Sequence, residues 1–169
     1  MPRELSTQRP ANSALLQRDD GKIVEHSLFE PIYKDDLDGY EQKAACYLDG
    51  EKALRWWHRN VAKAQSGYAL QGWCKHKVYP DFIFALSHQD GHERLMVLET
   101  KGDHLDNSDT AYKKKLFDIC SESFRLETIK STGEWGLLDD DGIKVSCSLI
   151  FENTWQTDLA KLIEDTVQG

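Results

Sequence analysis

Residues 77–102 have the sequence KVYPDFIFALSHQDGHERLMVLETKG. The first part, residues 77–86, is rich in aromatic and β-branched residues, which favour strands. Asp90-Gly91 is a strong signal for a hairpin turn, and residues 94–101 then form a second strand. The continuous apolar run in the second strand indicates burial on both faces, as in the middle of a mixed sheet. We therefore predict an antiparallel β-hairpin at the centre of an α/β fold.

This hairpin is predicted to bring three ionisable residues together: Asp81, Glu99 and Lys101. Strand side chains alternate between the two faces, so Glu99 and Lys101 point the same way. The two strands are equal in length, which places the start of the first beside the end of the second, and Asp81 then faces Glu99. A simpler interpretation is a solvated edge strand, but the apolar run from Leu95 to Leu98 argues against an edge.

Two carboxylates and an amine at one end of a sheet are costly unless something compensates their charges. A hard divalent cation does so, and Mg²⁺ suits two carboxylates plus a substrate phosphate because it prefers oxygen ligands and keeps several waters. Lys101 can then orient the attacking water and offset the charge that builds on phosphorus. These are the requirements for hydrolysing a phosphodiester.

The rest of the chain predicts helices around this hairpin. A helix begins near Asp38, because Glu41, Ala44, Ala45 and Leu48 share one helical face. The further predicted elements are a second helix with Ala53, Trp56, Trp57 and Asn60 on one side, a helix from Asp109 to about Thr128, a strand from Ile143 to Phe151, and a helix from Thr154 to Val167. Residues 1–37 are polar and are predicted to be a linker or extended arm, which leaves one domain at residues 38–169. The chain looks like the continuation of a longer protein.

The formal net charge of −8 over 169 residues is not typical of a protein that binds nucleic acid. The charge is uneven, however. Residues 55–115 contain ten Lys and Arg against seven Asp and Glu, whereas residues 134–169 contain two against eight. A phosphate backbone responds to local charge, so the basic section remains compatible with nucleic acid.

Composition also limits the class of protein. No run approaches the ~20 apolar residues of a membrane helix, and no apolar block follows the charged N-terminus as in a secretory signal. The four cysteines contain no CxxC pair, which argues against a structural zinc site. We interpret them as free thiols, and we expect a soluble protein in a reducing cytoplasm.

The motifs resemble those of the PD-(D/E)xK nuclease superfamily. The wider context is similar to the nuclease domains of type III restriction enzymes and related helicase-like restriction proteins. The resemblance spans roughly residues 38–130 and rests on Trp56-Trp57-His58-Arg59-Asn60, Tyr-Pro-Asp-Phe at 79–82 and Glu-Thr-Lys-Gly at 99–102. Thr100 departs mildly from it, since a bulkier apolar residue is common there.

The resemblance implies a restriction-endonuclease-like core, which is a central mixed β-sheet flanked by helices. It also implies Mg²⁺ as the cofactor, with Mn²⁺ as a substitute, and DNA as the substrate. Asp81, Glu99 and Lys101 would be the catalytic residues, and Glu41 on the preceding helix would join Asp81 and Glu99 at the metal.

Several nucleic-acid contacts follow from the same resemblance. Arg59 would contact phosphate, although a surface ion pair is an equal alternative. One residue of Lys113, Lys114 and Lys115 would approach phosphate, the alternative being a solvated run of charge. The Trp56–Trp57 pair is interpreted as core in preference to base stacking.

Two functions are therefore carried forward. The first is a Mg²⁺-dependent endonuclease of a restriction or DNA-defence system, with a helicase, translocase or recognition module in the same or a longer chain. A homodimer would explain cleavage of both strands. The alternative is a non-catalytic module with a nuclease-like fold that binds DNA or protein.

Overall fold

The predicted hairpin is the centre of the computed structural model, which describes residues 14–29, 31–62, 67–102, 108–125 and 144–168. A 3-10 turn at Lys34–Asp36 precedes the main elements. The helices are α1 (Gly39–Gly50), α2 (Ser108–Arg125) and α3 (Trp155–Gln168), and the strands are β1 (Leu54–Arg59), β2 (Phe82–Ser87), β3 (Glu93–Lys101) and β4 (Lys144–Phe151). The predicted end of α2 near Thr128 lies outside the described residues.

The strands form one mixed sheet in the order β1-β2-β3-β4. β2 pairs antiparallel with both β1 and β3, and β3 pairs parallel with β4. The β2–β3 turn contains Gly91 at a φ of +86°, a left-handed conformation that glycine adopts without strain. The predicted hairpin and the four-stranded mixed sheet flanked by helices are confirmed.

Helices cover both faces of the sheet, which accounts for the apolar run in β3. Met96 and Leu98 belong to one buried cluster with residues of α1 and α3. Val97, between them, belongs to a second cluster with Leu116 and Phe117 of α2. Successive residues of a strand point to opposite faces, so a strand buried on both sides needs apolar residues at every position.

The predicted second helix is wrong, because residues 54–59 form strand β1. Trp57 is fully buried and its ring lies 6.1 Å from the ring of Phe82, whereas Trp56 is only half-buried. Trp57 also pairs with Phe84 across the β1–β2 ladder. Aromatic residues favour the pleated, half-buried surface of a sheet, and this pairing overrides the apparent helical spacing.

Helix α1 begins where predicted, at the cap residue Asp38. One oxygen of Asp38 accepts hydrogen bonds from the backbone N–H groups of Tyr40 (2.9 Å) and Glu41 (2.7 Å). In return, Glu41 accepts a hydrogen bond from the backbone N–H of Asp38 at 3.0 Å. This reciprocal pair is a capping box, and it fixes Glu41 in the first turn of the helix.

The described part of the predicted linker, residues 14–37, packs against the domain. Leu16, Val24 and Leu37 are buried in the same cluster as α1 and α3. This packing corrects the prediction of a linker or extended arm for these residues. Among the described residues, no helix combines the length and apolar character needed to cross a membrane.

The N-terminal segment is also held by one buried carboxylate, that of Asp49. It accepts hydrogen bonds from the backbone N–H groups of Glu25 and His26, from the Trp57 indole at 2.9 Å and from Arg18. A buried carboxylate needs such partners, because an unpaired one is expensive. Asp49 therefore ties the N-terminal segment to α1 and β1.

Candidate active site

The β2–β3 ladder places Asp81 beside Glu99. Phe82 lies opposite Leu98, and Asp81 is one residue before Phe82 while Glu99 is one residue after Leu98. The Asp81 backbone N–H donates to the Leu98 carbonyl at 2.9 Å, so Asp81 still lies along β3, although it is just outside β2 and this bond is one residue off the β2–β3 register. The two residues are therefore neighbours at this end of the hairpin, and the charge of Asp81 acts on Glu99.

Thr100 orients the Asp81 carboxylate. Asp81 Oδ2 accepts hydrogen bonds from the Thr100 backbone N–H at 2.7 Å and from the Thr100 hydroxyl at 2.6 Å. The sequence prediction treats Thr100 only as a β-branched strand residue. The signal for this role was the hydroxyl itself, which can donate a hydrogen bond to a neighbouring carboxylate.

Glu99 is buried, with 4% of its surface exposed. One carboxylate oxygen forms an ion pair with Lys113 of α2, and among the described residues the other oxygen, Oε2, has no hydrogen-bond partner. Burial and the nearby charge of Asp81 raise the pKa of Glu99 from 4.5 to about 7, against the opposing effects of Lys113 and Lys101. Glu99 is therefore a buried acid whose charge is only partly balanced by its lysine partner, and a second acid lies beside it.

Two lysines lie on the α2 side of this pair. Lys101 Nζ is 3.5 Å from an Asp109 carboxylate oxygen, and Lys113 Nζ is 3.8 Å from the same oxygen. Burial alone would lower the pKa of Lys113, but the hydrogen bond to Glu99 and the charges of Glu99 and Asp109 outweigh it and raise the pKa. Of the three consecutive lysines, Lys113 is the one at the site, since Lys114 and Lys115 are exposed.

Glu41 approaches Asp81 from the other side of the sheet. Its carboxylate is buried and accepts hydrogen bonds from Arg59 at 3.1 and 3.2 Å. Burial raises the pKa of Glu41, and the charge of Asp81 adds to this rise, while the Asp38 hydrogen bond and Arg59 oppose it. Arg59 thus forms the ion pair that was the alternative to phosphate binding, and its contact with nucleic acid stays a prediction.

An open cleft of about 660 Å³ lies beside Glu41, Asp81 and Lys101, whereas Glu99 and Lys113 are not part of its lining. Its lining includes Glu41, Asp81, Thr100, Lys101, Gly102 and Glu152. The cleft lies at the end of the central hairpin, where α1, β3 and the end of β4 meet. A ligand in this cleft would contact carboxylates and an ammonium group at once.

The residues can be tested against the predicted metal. Among the described residues, no three His, Cys, Asp or Glu side chains converge closely enough to form a complete metal cage. The predicted set of Asp81, Glu99 and Glu41 is therefore not assembled as one group. Asp81 and Glu99 do form an adjacent pair, and Glu99 Oε2 still lacks a partner. Two carboxylates fit Mg²⁺, which keeps several waters.

Comparisons with known proteins do not extend this description. No family model matches the chain, and neither a curated protein nor a solved structure matches it. Any function must therefore be argued from the site.

Proposed function

We propose that this chain is a Mg²⁺-dependent nuclease with a restriction-endonuclease-like core that hydrolyses phosphodiester bonds of DNA. The observation that carries the proposal is the adjacent pair of Asp81 and Glu99 at the end of the central hairpin, where Glu99 Oε2 has no partner among the described residues. An unsatisfied buried carboxylate beside a second carboxylate is costly in a purely structural role. Perturbed acids of this kind cluster at functional sites.

The donor set suits a hard divalent ion. Asp81 and Glu99 would hold it, and when bound it supplies a Lewis acid that polarises the phosphoryl oxygen and acidifies a water. Thr100 keeps the Asp81 carboxylate in a fixed orientation through two hydrogen bonds. Lys113 does the same for Glu99 through its ion pair. Ligands held in this way lose little freedom on binding.

Lys101 supplies the positive charge at the cleft. It lines the cleft next to Thr100, and Asp109 holds its ammonium group at 3.5 Å. A fixed ammonium group orients a water and offsets the negative charge that grows on phosphorus in the transition state. This charge is therefore the part of the site that acts on the reacting atoms.

The proposal extends to partners only through the resemblance. The motifs are similar to those of nuclease domains in helicase-like restriction proteins, so we propose a role in restriction or DNA defence with a helicase or recognition module. A homodimer would supply two sites for cutting both strands. Density-gradient or light-scattering mass measurement with and without DNA checks the oligomeric part.

The decisive experiment compares cleavage of linear, circular and single-stranded DNA by the wild-type chain, Asp81→Asn and Lys101→Met with Mg²⁺ or Mn²⁺. Asn can still accept the Thr100 hydrogen bonds, so Asp81→Asn should keep its melting temperature and lose cleavage. Lys101→Met should lower the rate by roughly 10²–10³-fold. Asp118→Asn, at an exposed acid on α2, is the matched control. A wild-type chain that cuts none of these substrates would refute the proposal.

One observation favours the non-catalytic alternative. Glu41 and Glu99 already have cationic partners, Arg59 and Lys113, which partly neutralise them without an ion. A binding module of this kind would show neither cleavage nor heat on titration with Mg²⁺ or Mn²⁺. The nuclease proposal expects binding heat in the wild-type chain and its loss in Glu99→Gln.

A further inference from the structure

The loop between β1 and β2 presents residues 71–77, Gln-Gly-Trp-Cys-Lys-His-Lys, on the surface. Leu70 and Val78 close its base by exchanging two backbone hydrogen bonds of 2.8 and 2.9 Å. Within the loop, the Gln71 amide donates to the carbonyls of Cys74 at 2.8 Å and Gly72 at 3.2 Å. The loop therefore has a defined shape.

Gly72 sets the contact between this loop and α2. A Cβ atom at position 72 would lie 2.5 Å from the Tyr112 hydroxyl oxygen and 3.1 Å from a methyl carbon of Leu116. A larger residue at position 72 would have to displace the Tyr112 and Leu116 side chains from the loop. The next residue, Trp73, is thereby held edge-to-face against Tyr112, with ring centroids 5.0 Å apart.

Trp73 nevertheless remains 59% exposed, which is unusual for so large an apolar side chain. Lys115 Nζ lies over its ring at 5.7 Å from the centroid. Contact with Tyr112 and Lys115 limits the positions that the indole can take. A large ring that is both exposed and positioned needs little further ordering to bind a flat partner.

Among the described residues, the loop that carries Trp73 has positive charges and no negative ones, and Lys115 of α2 adds another beside the ring. Lys75 and Lys77 of the loop and Lys115 of α2 are all exposed. Residues 67–80 contain no Asp or Glu, in a chain whose net charge is −8. The nearest acid along α2 after Lys115 is Asp118. We call Trp73 and these three lysines the Trp73 surface.

We infer that the Trp73 surface binds single-stranded DNA, with an unpaired base stacked on Trp73 and phosphates contacting the lysines. An indole among cations matches a polymer that carries flat rings on an anionic backbone. Bases in an intact duplex are already stacked on one another and cannot reach the ring. The inference rests on the proposed nuclease function and specifies its substrate as a DNA strand that is single or locally unpaired.

The placement on α2 relates this surface to the site. Tyr112 supports Trp73, and the next residue along the helix, Lys113, contacts Glu99. A strand held on the Trp73 surface is therefore anchored on the same helix that borders the carboxylate pair.

The test is binding of oligodeoxythymidylate of about 16 nucleotides in EDTA, followed by fluorescence anisotropy and tryptophan quenching. The wild-type chain should bind with quenching. Trp73→Ala should weaken binding by at least about 5-fold, and Trp73→Phe should lose quenching but keep most of the affinity. Phe29→Ala removes a different exposed aromatic, 64% exposed, and should bind as the wild type does.

A second variant tests the charges and leaves the Trp73 side chain in place. Lys115→Gln should reduce the slope of log affinity against log salt by about 0.7. Lys161→Gln, at an exposed lysine on α3, is the matched control and should leave the slope unchanged. Melting curves confirm that each variant is folded.

The inference is overturned if the wild type and Trp73→Ala bind the oligonucleotide with equal affinity. It is also overturned if Trp73→Ala weakens binding of duplex DNA as much as it weakens binding of single-stranded DNA. Because this assay contains no metal and no cleavage, it separates the two proposals. A chain that binds through Trp73 but never cuts DNA refutes only the nuclease function. A chain that cuts DNA but binds without help from Trp73 refutes only this surface.

Discussion

The Glu99 carboxyl group lies in conflicting surroundings, because burial and Asp81 oppose its charge while Lys113 and Lys101 favour it. The first two effects prevail, and the pKa rises from 4.5 to about 7. An acid whose pKa is raised by folding binds its proton more tightly in the folded state than in the unfolded state. Its effect on stability therefore depends on pH in a defined direction.

The metal-free chain should be more stable below neutrality than above it. Between pH 4.5 and about 7 the folded state holds the Glu99 proton and the unfolded state does not, so this contribution to stability is lost as pH rises through about 7. As the pH rises across this range in EDTA, the melting temperature of the wild type should fall, and that of Glu99→Gln should change less. Glu164→Gln, at an exposed acid on α3, is the matched control. A Glu99→Gln profile parallel to the wild type would contradict the assignment.

Lys113 should matter to the site and Lys114 should not. Lys113→Met leaves the Glu99 carboxylate buried without its cationic partner, so we expect a loss of about 1–3 kcal/mol in the free energy of unfolding above neutral pH. Cleavage should fall by roughly 10–100-fold, because Glu99 loses the group that orients it. Lys114→Met, at an exposed position, should be close to wild type in both measurements. Similar effects from the two variants would contradict this distinction.

Asp81, Glu99 and Lys101 could be placed at one end of the hairpin from the sequence, because the local turn at Asp90-Gly91 determines which residues of the two strands meet. The strands are not equal in length as predicted, since β2 has six residues and β3 has nine. The choice among Lys113, Lys114 and Lys115 could not be made. Consecutive helical residues point about 100° apart, and the rotation of α2 is set by the packing of Leu116 and Phe117 on the sheet. That packing depends on residues distant in sequence.

At the level of elements, β1 is the clearest failure of prediction. Ala53, Trp56, Trp57 and Asn60 have helical spacing, yet residues 54–59 pair with β2, which begins more than twenty residues later. Local periodicity carries no information about a partner so far along the chain. The β2–β3 hairpin was predictable because its turn, Asp90-Gly91, is local.

The Asp38 cap should contribute measurably to α1. Asp38→Ala removes the acceptor for the N–H groups of Tyr40 and Glu41, and we expect a loss of about 1 kcal/mol in the free energy of unfolding. Asp38→Asn retains a capping oxygen and should lose much less. Urea denaturation of the three proteins measures both changes. Equal losses in the two variants would show that the charge matters more than the hydrogen bonds.

At the scale of the whole molecule, the N-terminal segment belongs to the folded domain. Its buried residues, Leu16, Val24 and Leu37, stand in short apolar pairs or alone between acids and follow no helical or strand period. Composition therefore indicated a linker. The contacts that order the segment, such as those with Asp49, come from distant residues and leave no local pattern.

Removal of residues 1–37 should destabilise the domain severely. The truncated chain loses three buried apolar side chains and leaves Asp49 buried without Arg18 and the N–H groups of Glu25 and His26. We expect a loss of more than about 4 kcal/mol, which unfolds many domains. Circular dichroism melts measure it, and a chain that starts at residue 14 keeps all of these contacts and serves as the comparison. A cooperative melt of the 38–169 chain at the same temperature would refute the role of this segment.

The N-terminal segment also runs beside β1, at the border of the sheet. The Trp57 N–H donates to the His26 carbonyl at 2.9 Å, and the Leu28 N–H donates to the Trp57 carbonyl at 2.7 Å. An uncovered border is a template on which strands of other molecules add. Residues 26–28 occupy this border beside Trp57, so we expect them to oppose such addition. A shortened chain should therefore assemble into thioflavin-binding aggregates at concentrations where the intact chain stays monodisperse.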